Sequence, residues 1–141
     1  MRRGFTLVEI MIVVAVVVVL VGLSIPNILR SRVVGYEGVA LANLKTISIA
    51  CQLYHMNQGT YPNDLSDLSE SDPPYIDSSL GSGNKQRYEF KYVRVNVDSF
   101  TINANPASGG LLKGKYFYVD ESGIIRSKAD GPAGPTDEIV Q

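Results

Sequence analysis

The chain has 141 residues, with 13 basic and 14 acidic side chains, a net charge of −1, 45% hydrophobic residues and a single cysteine. That length allows one small domain, the balanced charge gives no pull toward nucleic acid, and a lone cysteine excludes an intramolecular disulfide framework. The apolar residues are unevenly placed: the run from Ile10 to Ile25 carries no charge at all.

Directly before that run stands Gly4-Phe5-Thr6-Leu7-Val8-Glu9. A carboxylate at the head of an oily segment costs about 2.5 to 3.5 kcal/mol at mid-helix even on lenient insertion scales, so it calls for a partner charge. Cleavage after Gly4 would supply one, a new α-amino group at Phe5, one helical turn from Glu9 or within reach of the Glu9 of a neighbouring copy. From Phe5 to Ile25 the chain rises about 31 Å as a helix, enough for a hydrocarbon core of about 30 Å. Arg2 and Arg3 precede it and predict a cytoplasmic N-terminus with the remainder outside.

The pattern Arg2-Arg3-Gly4, then Phe5-Thr6-Leu7-Val8-Glu9, then an apolar helix with Pro26 at its end, resembles the class III leader of type IV pilins and type II secretion pseudopilins. The resemblance is close over about the first thirty residues and general beyond them. It implies that a membrane prepilin peptidase cuts between Gly4 and Phe5 and that Phe5 becomes N-methylated. It also implies that Glu9, Phe5 and Pro26 serve assembly. The rival reading is an ordinary secretory signal cut after Ser24. Glu9 offsets the positive charge such a signal needs, and Pro26 lies two residues past the cut, so both argue against it.

Helical pattern continues past Pro26, which predicts a kink rather than an end. Gly35 and Gly38 weaken the next stretch by about 1 kcal/mol each relative to alanine. Leu41, Leu44, Ile47, Cys51 and Tyr54 then recur at spacings of three and four, with Ile49, Leu53 and Met56 widening the stripe. Gly59 is the predicted C-cap, with Pro62 beyond it. The first half of this helix is apolar all round, and the second has one stripe that needs a sheet to cover it. The predicted organisation is a leader at 1–4, a transmembrane or filament-core helix at 5–30 and a pilin-like head at 31–141. Within the head the expected parts are helix 31–58, αβ-loop 59–87, sheet 88–127 and an irregular tail 128–141.

In the loop, Leu65 and Leu68 fit a short helical turn begun near Asn63, Pro73-Pro74 force extended backbone, and Gly81-Ser82-Gly83-Asn84 reads as a flexible turn. A loop this long is more often an interaction surface than filler, and it corresponds to the variable αβ-loop of pilins. Strand signals follow at Tyr88 to Val97, Phe100 to Asn105, Tyr116 to Val119 and Ile124 to Ser127. Hairpin turns are predicted around Asn96 to Ser99 and over Asp120-Glu121-Ser122-Gly123. The expected fold is α+β: a long N-terminal α-helix packed on a small antiparallel sheet of about four strands, as in pilins.

Catalytic chemistry is hard to find. His55 is the one histidine, near a helix end, where a partly exposed structural role is commoner than a base. There is no nucleophile elbow, metal-spaced histidine pair or phosphate loop, and Gly109-Gly110 reads as a turn, so an enzyme is not expected. Cys51 reads as a small buried hydrophobe. The candidate metal ligands are Asp130, Asp137 and Glu138 in the tail, oxygen donors suited to Ca²⁺. Major secretion pseudopilins bind calcium in a C-terminal loop, but no EF-hand-like spacing is present, and solvated acids are the plainer reading; otherwise no cofactor is expected. Tyrosines interleave with Lys85, Arg87, Lys91, Arg94 and Lys115, which fits a solvated strand face better than a nucleic-acid face.

The resemblance implies a structural subunit of an extracytoplasmic helical filament, either a type IV pilus or a type II secretion pseudopilus. Its implied partners are further copies of itself, the inner membrane before assembly, the prepilin peptidase, an assembly platform and minor pilins. The alternative class is a signal-anchored or released periplasmic binding domain that never polymerises.

Overall fold

A computed structural model describes residues 4–108 and 113–140. Arg2, Arg3 and the Gly109-Gly110 turn lie outside the described residues. Helix α1 runs Leu7–Gln58 and passes through Pro26, Gly35 and Gly38. It begins two residues later than the sequence predicts, because Thr6 acts as its N-cap: the Glu9 N–H donates to Thr6 Oγ1 at 3.2 Å. It ends as predicted. Gly59 takes a φ of +72°, and its N–H donates to the His55 carbonyl at 2.8 Å, closing the last turn in a conformation that a Cβ would disfavour.

The chain divides into two units between Arg32 and Val33. In the first unit the helix stands alone, and its apolar window is wholly uncovered. Ser24 Oγ donates to the Leu20 carbonyl at 2.9 Å, so the one hydroxyl within the apolar run is satisfied by its own helix.

In the second unit the covered face of α1 is Ala40, Leu44, Ile47, Ser48, Ala50 and Cys51, with Leu41 and Tyr54 partly covered. This corrects the predicted stripe. Ile49, Leu53 and Met56 are exposed and Ser48 is buried, because at about 100° per residue positions 44, 47, 48 and 51 point one way while 49, 53 and 56 point away.

After α1 come two short helices, α2 (Leu65–Ser69) and α3 (Ser78–Gly81). The Asp64 carboxylate accepts from the Leu65 N–H, and Asp77 Oδ1 accepts from the Leu80 N–H at 2.9 Å. Leu65, Leu68, Ile76 and Leu80 are thereby turned into the core. The segment from Ser78 to Gly81 is thus a capped helical turn, and of the turn predicted over Gly81-Ser82-Gly83-Asn84 the structure keeps Ser82-Gly83, between α3 and the strand that starts at Asn84.

The sheet has six strands among the described residues, ordered β1 (Asn84–Lys85), β2 (Tyr88–Asn96), β3 (Ser99–Pro106), β4 (Tyr116–Asp120), β5 (Arg126–Lys128) and β6 (Glu138–Ile139). All neighbours are antiparallel. Tyr88 and Phe90 on β2, Phe100, Ile102 and Ala104 on β3, and Phe117 and Val119 on β4 join the helix residues in one core. Full burial of each large side chain contributes about 2 kcal/mol. The sequence predicts four strands, and the two additional ones are two-residue edges. β1 enters through a tight turn at Gln86-Arg87, and β6 is formed by the tail. The predicted start of the last hairpin strand at Ile124 is also corrected, since Ile124 lies exposed in the loop and pairing begins at Arg126.

The tail is ordered by contact with the outer face of the sheet. Asn103 Nδ2 donates to the Ala133 carbonyl at 2.8 Å, Ala133 is buried, and Arg126 Nη1 donates to the Asp137 carbonyl at 3.0 Å. Tyrosine hydroxyls fix other segments: Tyr92 donates to the Pro62 carbonyl at 2.7 Å and Tyr88 to the Lys115 carbonyl at 2.8 Å. Glu37 on α1 accepts from the Lys115 N–H at 2.8 Å, so the entry to β4 is held by both helix and sheet.

Candidate functional site

The head of α1 is assembled from local chemistry. Gly4, Phe5 and Thr6 precede the helix, and Phe5 is 79% exposed. Thr6 and Glu9 form a reciprocal cap: besides the Glu9 N–H on Thr6 Oγ1, the Thr6 N–H donates to Glu9 Oε2 at 3.5 Å. This capping box satisfies backbone donors that the first turn leaves free, and it places a carboxylate at the positive end of the helix dipole. The Thr-x-x-Glu spacing is legible in the sequence as a helix start, whereas the charge argument looks to the Phe5 amine instead. The structure gives Glu9 a neutral intrachain partner, and its other carboxylate oxygen has capacity left for a cation.

Every large apolar side chain from Leu7 to Ile25 is at least half exposed. The one acid in this stretch therefore sits beside an apolar surface that none of the described residues covers. Pro26 stands within the helix, without a backbone N–H to donate.

The other predicted site residues are dispersed. Asp130 is exposed. Asp137 Oδ2 accepts from the Gly134 N–H at 2.8 Å, and Oδ1 lies 3.9 Å from Lys128 Nζ. Glu138 is exposed on β6. Among the described residues no three acidic, histidine or cysteine side chains converge as a metal set.

His55 has a partner that sequence reasoning missed, because the partner is 43 positions away. Its Nε2 lies 3.3 Å from Asp98 Oδ1 on the β2–β3 turn, and its ring stacks on Tyr61 at 4.4 Å. The pair ties the helix end to the hairpin. Cys51 is fully buried, and desolvation pushes its thiol up to about 12, leaving it a hydrophobe rather than a nucleophile. Burial likewise raises the Tyr88 and Tyr92 hydroxyls above the ordinary phenol range.

Residues 1–25 match the prokaryotic N-terminal methylation motif. The chain is 28% identical over 140 residues to type II secretion system core protein G of Escherichia coli K12, covering 99% of this chain and 90% of that protein. It is 26% identical over 147 residues to the type IV major pilin protein PilE1 of Neisseria gonorrhoeae, covering 98% of this chain and 81% of that one. Over 90 residues it is 28% identical to the type IV wide pilus major component PilA4 of Thermus thermophilus, covering 61% of this chain and 69% of that one. With the methylation motif in front of a long helix and a helix-on-sheet head behind it, the chain is similar over nearly its whole length to a type II secretion system core protein and to a type IV major pilin.

Proposed function

We propose that the chain is made with a leader ending at Gly4, is held by α1 in the inner membrane with its head outside, and enters a helical filament once the leader is removed and Phe5 is methylated. The observation that carries this reading is the uncovered apolar window of α1 with Glu9 at its head. Such a surface is at home in lipid, and hydrophobic burial against other copies would replace lipid contact on extraction. Glu9 would exchange part of its hold on the Thr6 N–H for the Phe5 amine of a neighbour, offsetting two charges in a dry fibre core and fixing the register of copies. The prepilin peptidase, an assembly platform and minor pilins follow from this route as partners. Pilus and secretion pseudopilus share the mechanism.

Shearing tests it. Cells making the chain should release high-mass fibres, and Glu9→Ala should leave membrane insertion intact while fibres are lost or strongly reduced. Normal fibre yield from Glu9→Ala would remove the register role. Gly4→Asp should leave the leader attached, and a mass spectrum showing normal trimming would refute cleavage after Gly4.

A further inference from the structure

We infer that a groove on the head receives the β2–β3 hairpin of a second copy. The groove is about 510 Å³ and is lined by Leu41 and Lys45 of α1, Ile124 and Ile125 of the β4–β5 loop, and Ile139 and Val140 at the tail. Ile124 and Ile139 are exposed, so apolar surface faces solvent there. Lys45 is exposed too, and among the described residues no carboxylate pairs with it. The groove thus offers an apolar wall and one unpaired cation.

The matching feature is elsewhere on the same head. Val95 and Val97, 60% and 56% exposed, lie at the end of the β2–β3 hairpin beside Asp98. The Asp98 side chain is 85% exposed, and only Oδ1 is engaged, by His55. Oδ2 remains open to a second cation. The hairpin therefore presents valines and an anion where the groove presents isoleucines and a cation. Because the two surfaces differ and lie on different parts of one head, the contact between copies is heterologous and can repeat without closing. The proposal rests on the filament reading and specifies one head-to-head contact within it: Val95 and Val97 against Ile124 and Ile139, with Asp98 Oδ2 on Lys45 Nζ.

Paired cysteines test the contact in assembled fibres, since buried Cys51 stays out of the chemistry. Fibres carrying Val97→Cys with Ile139→Cys, sheared and mildly oxidised, should give a ladder of disulfide-linked oligomers, while either single variant gives monomer. Intact fibres of the double variant that yield only monomer would overturn the contact. A ladder from Val97→Cys alone would overturn it in favour of hairpin against hairpin. A ladder from Ile139→Cys with Val18→Cys would put a neighbour's apolar helix in the groove instead. Charge exchange provides a second reading if the cysteine variants assemble poorly. Lys45→Asp should lower fibre yield about tenfold, the scale of a broken interfacial charge pair, and adding Asp98→Lys should restore it. Normal yield from Lys45→Asp, or no recovery in the pair, would count against the contact. Missing fibres from the unsubstituted chain would instead remove the filament reading on which it stands.

Discussion

Thr6 and Glu9 hold each other across the first turn of α1, each backbone N–H donating to the other's side chain, at 3.2 Å for Glu9 and 3.5 Å for Thr6. A single acid thereby has two separable properties, an acceptor that caps a helix and a charge that a neighbour can use.

Substitutions separate the two. Glu9→Gln keeps an acceptor for the Thr6 N–H and should leave the first turn formed, yet fibre yield should fall because the charge is gone. Thr6→Ala removes the cap, at a cost of about 1 kcal/mol, and should speed amide exchange at Glu9 in detergent-solubilised protein while fibres still form. Equal fibre loss in both variants would show that capping, rather than charge, limits assembly.

Alkaline pH should destabilise the head. Cys51 is fully buried with its thiol raised to about 12, and Tyr88 and Tyr92 are raised for the same reason, so the folded chain keeps protons that the unfolded chain releases. The contribution from Cys51 is complete below the ordinary thiol range and is lost between about pH 9 and 12, with a slope of about 1.4 kcal/mol per pH unit. Melting curves from pH 8 to 11 should show a falling midpoint, and Cys51→Ala should flatten part of that fall. A midpoint independent of pH would contradict the burial of these groups.

The β1–β2 turn carries backbone strain. Gln86 and Arg87 have φ of +48° and +68°, the left-handed conformation that two-residue hairpins take but that costs about 1 to 2 kcal/mol for a residue with a Cβ. Arg87 recovers part of this by standing 5.6 Å from the Tyr36 ring centroid, a contact of about 0.5 to 1 kcal/mol. Replacing the two residues by Asn and Gly should raise stability by about 1 kcal/mol, seen as a higher melting temperature. A lower one would show that the Arg87–Tyr36 contact outweighs the strain.

Calcium should change little while Asp137 keeps its present contacts. Its two oxygens face the Gly134 N–H and Lys128, and Asp130 and Glu138 are not gathered with it. Millimolar calcium is expected to leave the melting temperature of the head within about 1 °C. A rise of several degrees, abolished by Asp137→Asn, would show that the tail carboxylates regroup around the ion.

Local chemistry was enough to read the helix and its end, the central strands and the character of the N-terminal segment. An apolar run of membrane length, spacings of three and four, and alternation in Phe100 to Asn105 each express a short-range period that survives in one dimension. Gly59 was legible for the same reason, because a helix terminus needs a left-handed residue at that place. The edge strands were not. The β1–β2 turn uses Gln86-Arg87 where the usual signal is Asn-Gly, and β6 follows a stretch rich in glycine and proline. Each forms because an existing strand supplies its partner, which no local pattern records.

The same division holds for side chains. The sequence determined by itself that Glu9 heads an apolar segment, since both facts lie within a few residues of one another. Only the tertiary structure decided that Ser48 is covered while Ile49 is not, that His55 meets Asp98, and that Ala133 packs on the outer face of the sheet. Those outcomes depend on which surfaces the folded sheet brings opposite each residue, and contacts across tens of positions leave no period to read.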